Sequence, residues 1–129
     1  MSSEAFTDVL ERARLCMNEV CDKATLILRH ALPEIEGLQR GDIYSPRLMG
    51  LMCVRAEGKL PEPDRQLLGS ALQYVEEFQL IHVGWVLAMK NCDPCLDVPV
   101  ASIKCGDAIG VLRRMSAELD GVLATVSDS

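Results

Sequence analysis

The stretch SSEAFTDVLERARLCMNEVCDKATLILRHAL, residues 2–32, decides the fold. Phe6, Leu10, Ala13, Met17, Val20, Ala24, Ile27 and Ala31 recur in it at spacings that alternate four and three. An α-helix turns once in about 3.6 residues, so this alternation keeps all eight side chains on one stripe, the heptad seam of a helix packed lengthwise against others. Ser2 or Ser3 is placed to begin the helix, Glu4 and Asp8 put negative charge near its N-terminus, and Pro33 stops it.

Outward from that stretch the same period returns twice. Residues 33–44, with Gly37 and Gly41, have no period and read as a connection. Ser45 and Pro46 supply a cap and a first-turn proline for a short helix over 46–55, which carries Leu48, Met49, Leu51, Met52 and Val54 and is ended by Gly58, Pro61 and Pro63. Asp64 is the expected cap of a third helix running to about Asn91 with the seam Leu68, Ala71, Val75, Phe78, His82, Trp85 and Met89. Its second half is apolar nearly all round, which predicts a place in the middle of the assembly. The turn CDPCLDVP, residues 92–99, ends it, and Asp97 and Pro99 open a fourth helix with the seam Ala101, Cys105, Ala108, Leu112, Met115, Leu119, Val122 and Val126. The expected architecture is all-α: an antiparallel helical bundle of three long helices and one short inserted helix, forming one domain over residues 1–129.

Composition agrees with one core. The 129 residues are 49% apolar, yet only five are aromatic, so the core is aliphatic. That content excludes intrinsic disorder. Thirteen basic and nineteen acidic residues give a net charge of −6, which argues against a dedicated nucleic-acid binder, since such proteins gain affinity by neutralising phosphates. Arg12 with Arg14, and Arg113 with Arg114, come closest to a basic patch, and a nucleic-acid-binding dimer built on the latter pair is the third functional reading. The acidic, interrupted N-terminus resembles neither a secretory signal nor a transit peptide. The longest apolar stretch, residues 80–89, is broken by His82 and is half of the roughly 20 residues a bilayer span needs. A cytoplasmic protein without a membrane segment is expected.

Chemically distinctive residues are few. Cys92 and Cys95 form a CxxC pair among six cysteines. A zinc site needs four converging ligands. His82 lies ten residues back on the same helix, about 15 Å away by helical rise, and Cys105 lies well into the next helix. A thioredoxin-like role calls for a βαβ setting that this periodicity does not provide. No metal and no cofactor are therefore expected, and a metal- or redox-responsive regulator using the pair is the alternative reading. His82, on a core seam, reads as a neutral imidazole hydrogen-bonded across the bundle, and His30 as a cation complementing a helix C-terminus. Neither has nucleophile or carboxylate company at short spacing, so no catalytic residue is assigned. Gly106 and Gly110 sit in a helical stripe and form no phosphate loop, and Glu34 and Glu36 read as a solvated connection.

Some apolar residues fall outside the seams. Leu15 and Leu26 lie opposite the seam of the first helix. On the back of the fourth, Ile103, Gly106, Gly110, Ala117 and Ala124 line up at spacings of three, four and seven. Glycine in a solvent-facing helix costs about 1 kcal/mol against alanine, whereas a column of small residues lets another helix come close. This back face is expected to pack either within the monomer or on a second copy. Met49 and Met52 on the short helix suit either an adaptable partner groove or core filling. The expected function is a non-enzymatic protein–protein interaction module, an adaptor, subunit or regulator that forms a homodimer through this second helix face.

Overall fold

The computed structural model contains four helices, α1 (Ser3–Ala31), α2 (Pro46–Arg55), α3 (Glu62–Lys90) and α4 (Val98–Ser127). It describes residues 3–33, 46–56 and 58–127, so the expectations for Ser45 and for the connection bearing Glu34 and Glu36 lie outside the described residues. The expected helical bundle is present, with three long helices and one short one. Phe6 meets Trp85 with ring centroids 6.1 Å apart, and His82 Nε2 lies 3.0 Å from the Leu10 carbonyl, so α1 and α3 run in opposite directions. The six-residue turn after Asn91 reverses the chain again into α4. Consequently α1 and α4 run the same way, and Ser116 meets Glu19 as Asp120 meets Lys23, each four residues further along.

The α1 seam is buried throughout, as are the expected seam residues of α4 apart from the half-buried Met115 and Val126. Over the second half of α1 a second column, Cys21, Thr25, Leu28 and then Leu32, is also buried beside the seam, and Cys16 is buried on the seam's other flank. α1 therefore presents two adjacent apolar columns, one more than a single seam, and its interface with α4 is the most extensive in the molecule. Many positions on the facing seams are small, including Ala13, Ala24, Ala101, Cys105 and Ala108, which lets the two backbones approach closely.

Two expectations need correction. The second half of α3 does not lie in the middle: Leu80, Ile81, Val83 and Leu87 are all exposed, and no α3 residue beyond His82 is fully buried. The cause is length. α2 joins α3 through the short connection 56–61 and packs against it, but ten residues extend about 15 Å against the roughly 43 Å of α3. Among the described residues no further element remains to cover the far end. The N-cap of α3 is Pro61 with no side-chain cap, and Asp64 lies in the first turn, where it complements the helix dipole without capping. Asp97 does cap α4: its Oδ1 accepts the Val100 N–H at 3.1 Å.

Phe6 has no exposed surface and packs edge-on against Trp85. Phe6→Ala should cost about 3–5 kcal/mol by urea denaturation, whereas Leu80→Ala, on the outer face of α3, should change the stability of the dilute protein by less than about 0.5 kcal/mol.

Candidate functional site

Helix α4 turns its back face to solvent. Ile103 is 64% exposed, and Gly106, Gly110, Ala117 and Ala124 are exposed with it. The expectation that this column packs within the monomer is thereby overturned, because α1 and α3 take the opposite side of α4. A Cβ added at Gly106 or Gly110 would meet nothing within 4 Å. α3 adds an apolar outer stripe of its own, at positions where a central helix would be covered. Leu80, Val83, Gly84 and Leu87 recur at three and four, and Leu80 is 72% exposed. Val100 in the first turn of α4 is exposed as well.

The remaining sequence candidates divide. Met49 has no exposed surface, with its sulfur 3.4 Å from Thr25 Oγ1, whose hydroxyl donates to the Cys21 carbonyl at 2.8 Å. A partner groove cannot use it, because α2 has turned this side chain into the core. Met52 is half-buried against the same core. Leu15 is exposed, while Leu26 is half-buried beside Arg29 and His30 in a surface hollow of about 250 Å³. Arg113 and Arg114 are both exposed.

A polar cluster between α1 and α4 brings together a lysine and a serine. Lys23 Nζ donates to Ser116 Oγ at 2.6 Å and lies 2.8 Å from Asp120 and 3.2 Å from Glu19, while Ser116 Oγ donates to Glu19 at 3.0 Å. A serine nucleophile activated by lysine needs the amine neutral. Burial pushes the Lys23 pKa down, but hydrogen bonds to Asp120 and Glu19 outweigh it and hold the pKa above the usual lysine range. The charged ammonium is thus a clamp across the α1–α4 interface and has no lone pair with which to take the Ser116 proton. Glu19 and Lys23 are legible in the sequence as a helical i, i+4 pair; their partners on α4 are not.

His82 behaves as its seam position suggests. Its Nε2 donates to the Leu10 carbonyl, and its ring packs near Phe78 with centroids 6.1 Å apart. The cysteines separate into two groups. Cys16, Cys21, Cys53 and Cys105 are buried, and burial pushes the thiols of Cys21, Cys53 and Cys105 up to about 11, while Cys92 and Cys95 are free and exposed. Among the described residues no group of three or more His, Cys, Asp or Glu is placed to hold a metal ion. No helix among the described residues is long and apolar enough to cross a membrane.

Cys92 also has a local structural duty. Its N–H bonds to the Met89 carbonyl at 3.2 Å and that of Asp93 to the Ala88 carbonyl at 2.9 Å, which closes α3 as a Schellman motif. Cys92 occupies the left-handed position of that motif, φ 53°, where glycine is the usual residue. The following Asp93 Oδ1 accepts the Cys95 N–H at 2.8 Å and tightens the turn.

Removing the strained Cβ in Cys92→Gly should stabilise the protein by about 0.5–1 kcal/mol in chemical denaturation, since an L-residue in this conformation pays about 1–2 kcal/mol that glycine avoids at some cost in chain entropy. Lys23→Met should lose about 1 kcal/mol at neutral pH, a modest figure because Glu19 and Asp120 are more than half exposed. A lysine whose pKa is raised on folding contributes its full stabilisation below the ordinary lysine value. The gap between wild type and Lys23→Met should therefore be constant through neutral pH and close as the pH climbs past about 10.4.

Comparison with protein-family models, with curated proteins and with solved structures finds no match to this chain.

Proposed function

We propose that this protein works by contact, as a non-enzymatic interaction module that self-associates through the outward faces of α3 and α4. One observation carries the reading: Leu80, Val83 and Leu87 on α3 and Val100 and Ile103 on α4 stand exposed on neighbouring helices. Single exposed apolar residues are ordinary, but an exposed stripe at helical spacing is the arrangement that a second helix buries. The small residues beside it fit this use, since Gly106, Gly110 and Ala117 would let a facing helix approach and gain nothing from facing water. A second copy is the occupant this reading favours, because α3 and α4 would then bury their stripes against the same surfaces in a closed, two-fold pair.

A second reading rests on Cys92 and Cys95, the exposed thiols at the end of α3. In it the pair responds to oxidation or to a metal supplied partly by a partner, and the protein is a regulator. Nucleic-acid binding through Arg113 and Arg114 of a dimer has less support, given the acidic total.

The Gly110→Arg variant tests self-association cleanly, because the new side chain meets open space in the monomer. Sedimentation velocity should find wild type as a dimer and Gly110→Arg as a monomer of equal or slightly higher thermal stability, since arginine is the better helix former. Wild type that stays monomeric at high micromolar concentration, or a variant that dimerises as wild type does, would contradict the proposal.

A further inference from the structure

A groove of about 360 Å³ runs between the first half of α1 and the last third of α3, where Val86 and Lys90 separate it from the outer stripe of α3. Small-molecule sites begin at about 300 Å³ and commonly lie between helices of bundles. Leu10, Val86 and Met89 give it apolar walls, and the His82 ring lines it, fixed by its hydrogen bond to the Leu10 carbonyl. From His82 to Lys90 the groove follows α3 for about 12 Å of helical rise.

The charges are distributed unequally along it. Towards one end, Arg14 and Glu11 satisfy each other: Arg14 Nε donates to Glu11 at 3.0 Å, a second guanidinium nitrogen donates to the other carboxylate oxygen, and the pair is formally neutral. At the opposite end Lys90 is exposed and makes no ion pair with any described residue. It is not needed to finish α3 either, because the Leu87, Ala88 and Met89 carbonyls already accept the N–H groups of Asn91, Asp93 and Cys92. Among the described residues the groove thus ends in a cation with no ion-pair partner, on a chain whose net charge is −6. An apolar channel with a single cation at its mouth is complementary to an aliphatic chain with one negative head.

We infer that the α1–α3 groove is a binding site for a small aliphatic carboxylate, its chain lying along Leu10, Val86 and Met89 and its head on the Lys90 ammonium. The site is independent of the self-association surface, and either can fail without the other. A carboxylate accepts hydrogen bonds and donates none, which suits the three unshared N–H groups of a lysine.

Octanoate, octanol and octylammonium serve as probes in calorimetric titration at low salt, with the fluorescence of the lone Trp85, which stacks edge-on against Phe78, as a second readout. Wild type should bind one octanoate per chain at least tenfold more tightly than octylammonium, with octanol between. Lys90→Glu should keep its fold and reverse the order of the two ions, and Val86→Trp, which fills the channel, should lose all three ligands. Equal binding of octanoate and octylammonium to wild type, no binding of octanoate, or octanoate binding unchanged in Lys90→Glu would each overturn the inference. So would loss of octanoate binding in Leu80→Lys/Leu87→Lys with retention in Val86→Trp, which would place the amphiphile on the outer face of α3.

Discussion

Helix α1 is buried along its full length on one seam and over its second half on an adjacent column, and the rest of the molecule is arranged around that constraint. One seam running from Phe6 to Ala31 would need one neighbouring groove; a second column through Cys21, Thr25 and Leu28 demands another. α4 lies along α1 in the same direction, the short side chains of both seams let the backbones close, and α3 crosses back on the remaining side. The Lys23 clamp sits on this interface and fixes its register, since a slip of one helical turn would separate Ser116 and Asp120 from Glu19 and Lys23. Apolar burial supplies the stability, while the clamp chooses among otherwise similar alignments of two aliphatic stripes.

With the seam of α4 laid along α1, α3 packs against both from the side, and the functional features follow from that position. α2 covers its start but is too short to reach its end. The uncovered end therefore has two distinct environments. Its inner edge, where His82 reaches the Leu10 backbone, forms an apolar groove with α1. Its outer edge, with Leu80, Val83 and Leu87, is exposed, as is the glycine- and alanine-rich back of α4. The Schellman turn at Cys92 separates the two helices cleanly and places the exposed thiols at that same end of the bundle.

The extent to which this was legible in the sequence depends on the range of each interaction. Heptad spacing is local, so the seams of α1, α3 and α4 could be read residue by residue, as could the Asp97 cap, which acts over three residues. The back face of α4 was legible as a column of small residues, but whether the monomer buried it was not, because that depends on which sides α1 and α3 take. The all-round apolar character of residues 80–89 suggested burial; it in fact marks the place where the inserted helix runs out. Met49 illustrates the same limit, since ten residues of α2 offer too little period to tell its inner side from its outer. The Lys23–Ser116 contact joins residues 93 apart, and no local pattern announces it.

The central claim is that α1 buries its seam from end to end while the far end of α3 turns an apolar face to solvent. Methyl NMR with a soluble paramagnetic relaxation agent on the Gly110→Arg variant, which the proposed self-association leaves monomeric, tests it directly. The methyls of Leu80, Val83, Leu87 and Ile103 should broaden strongly while those of Ile27, Leu28, Leu112 and Leu119 stay sharp. Protection of the α3 methyls together with broadening along α1 would show that the bundle is organised around α3 instead.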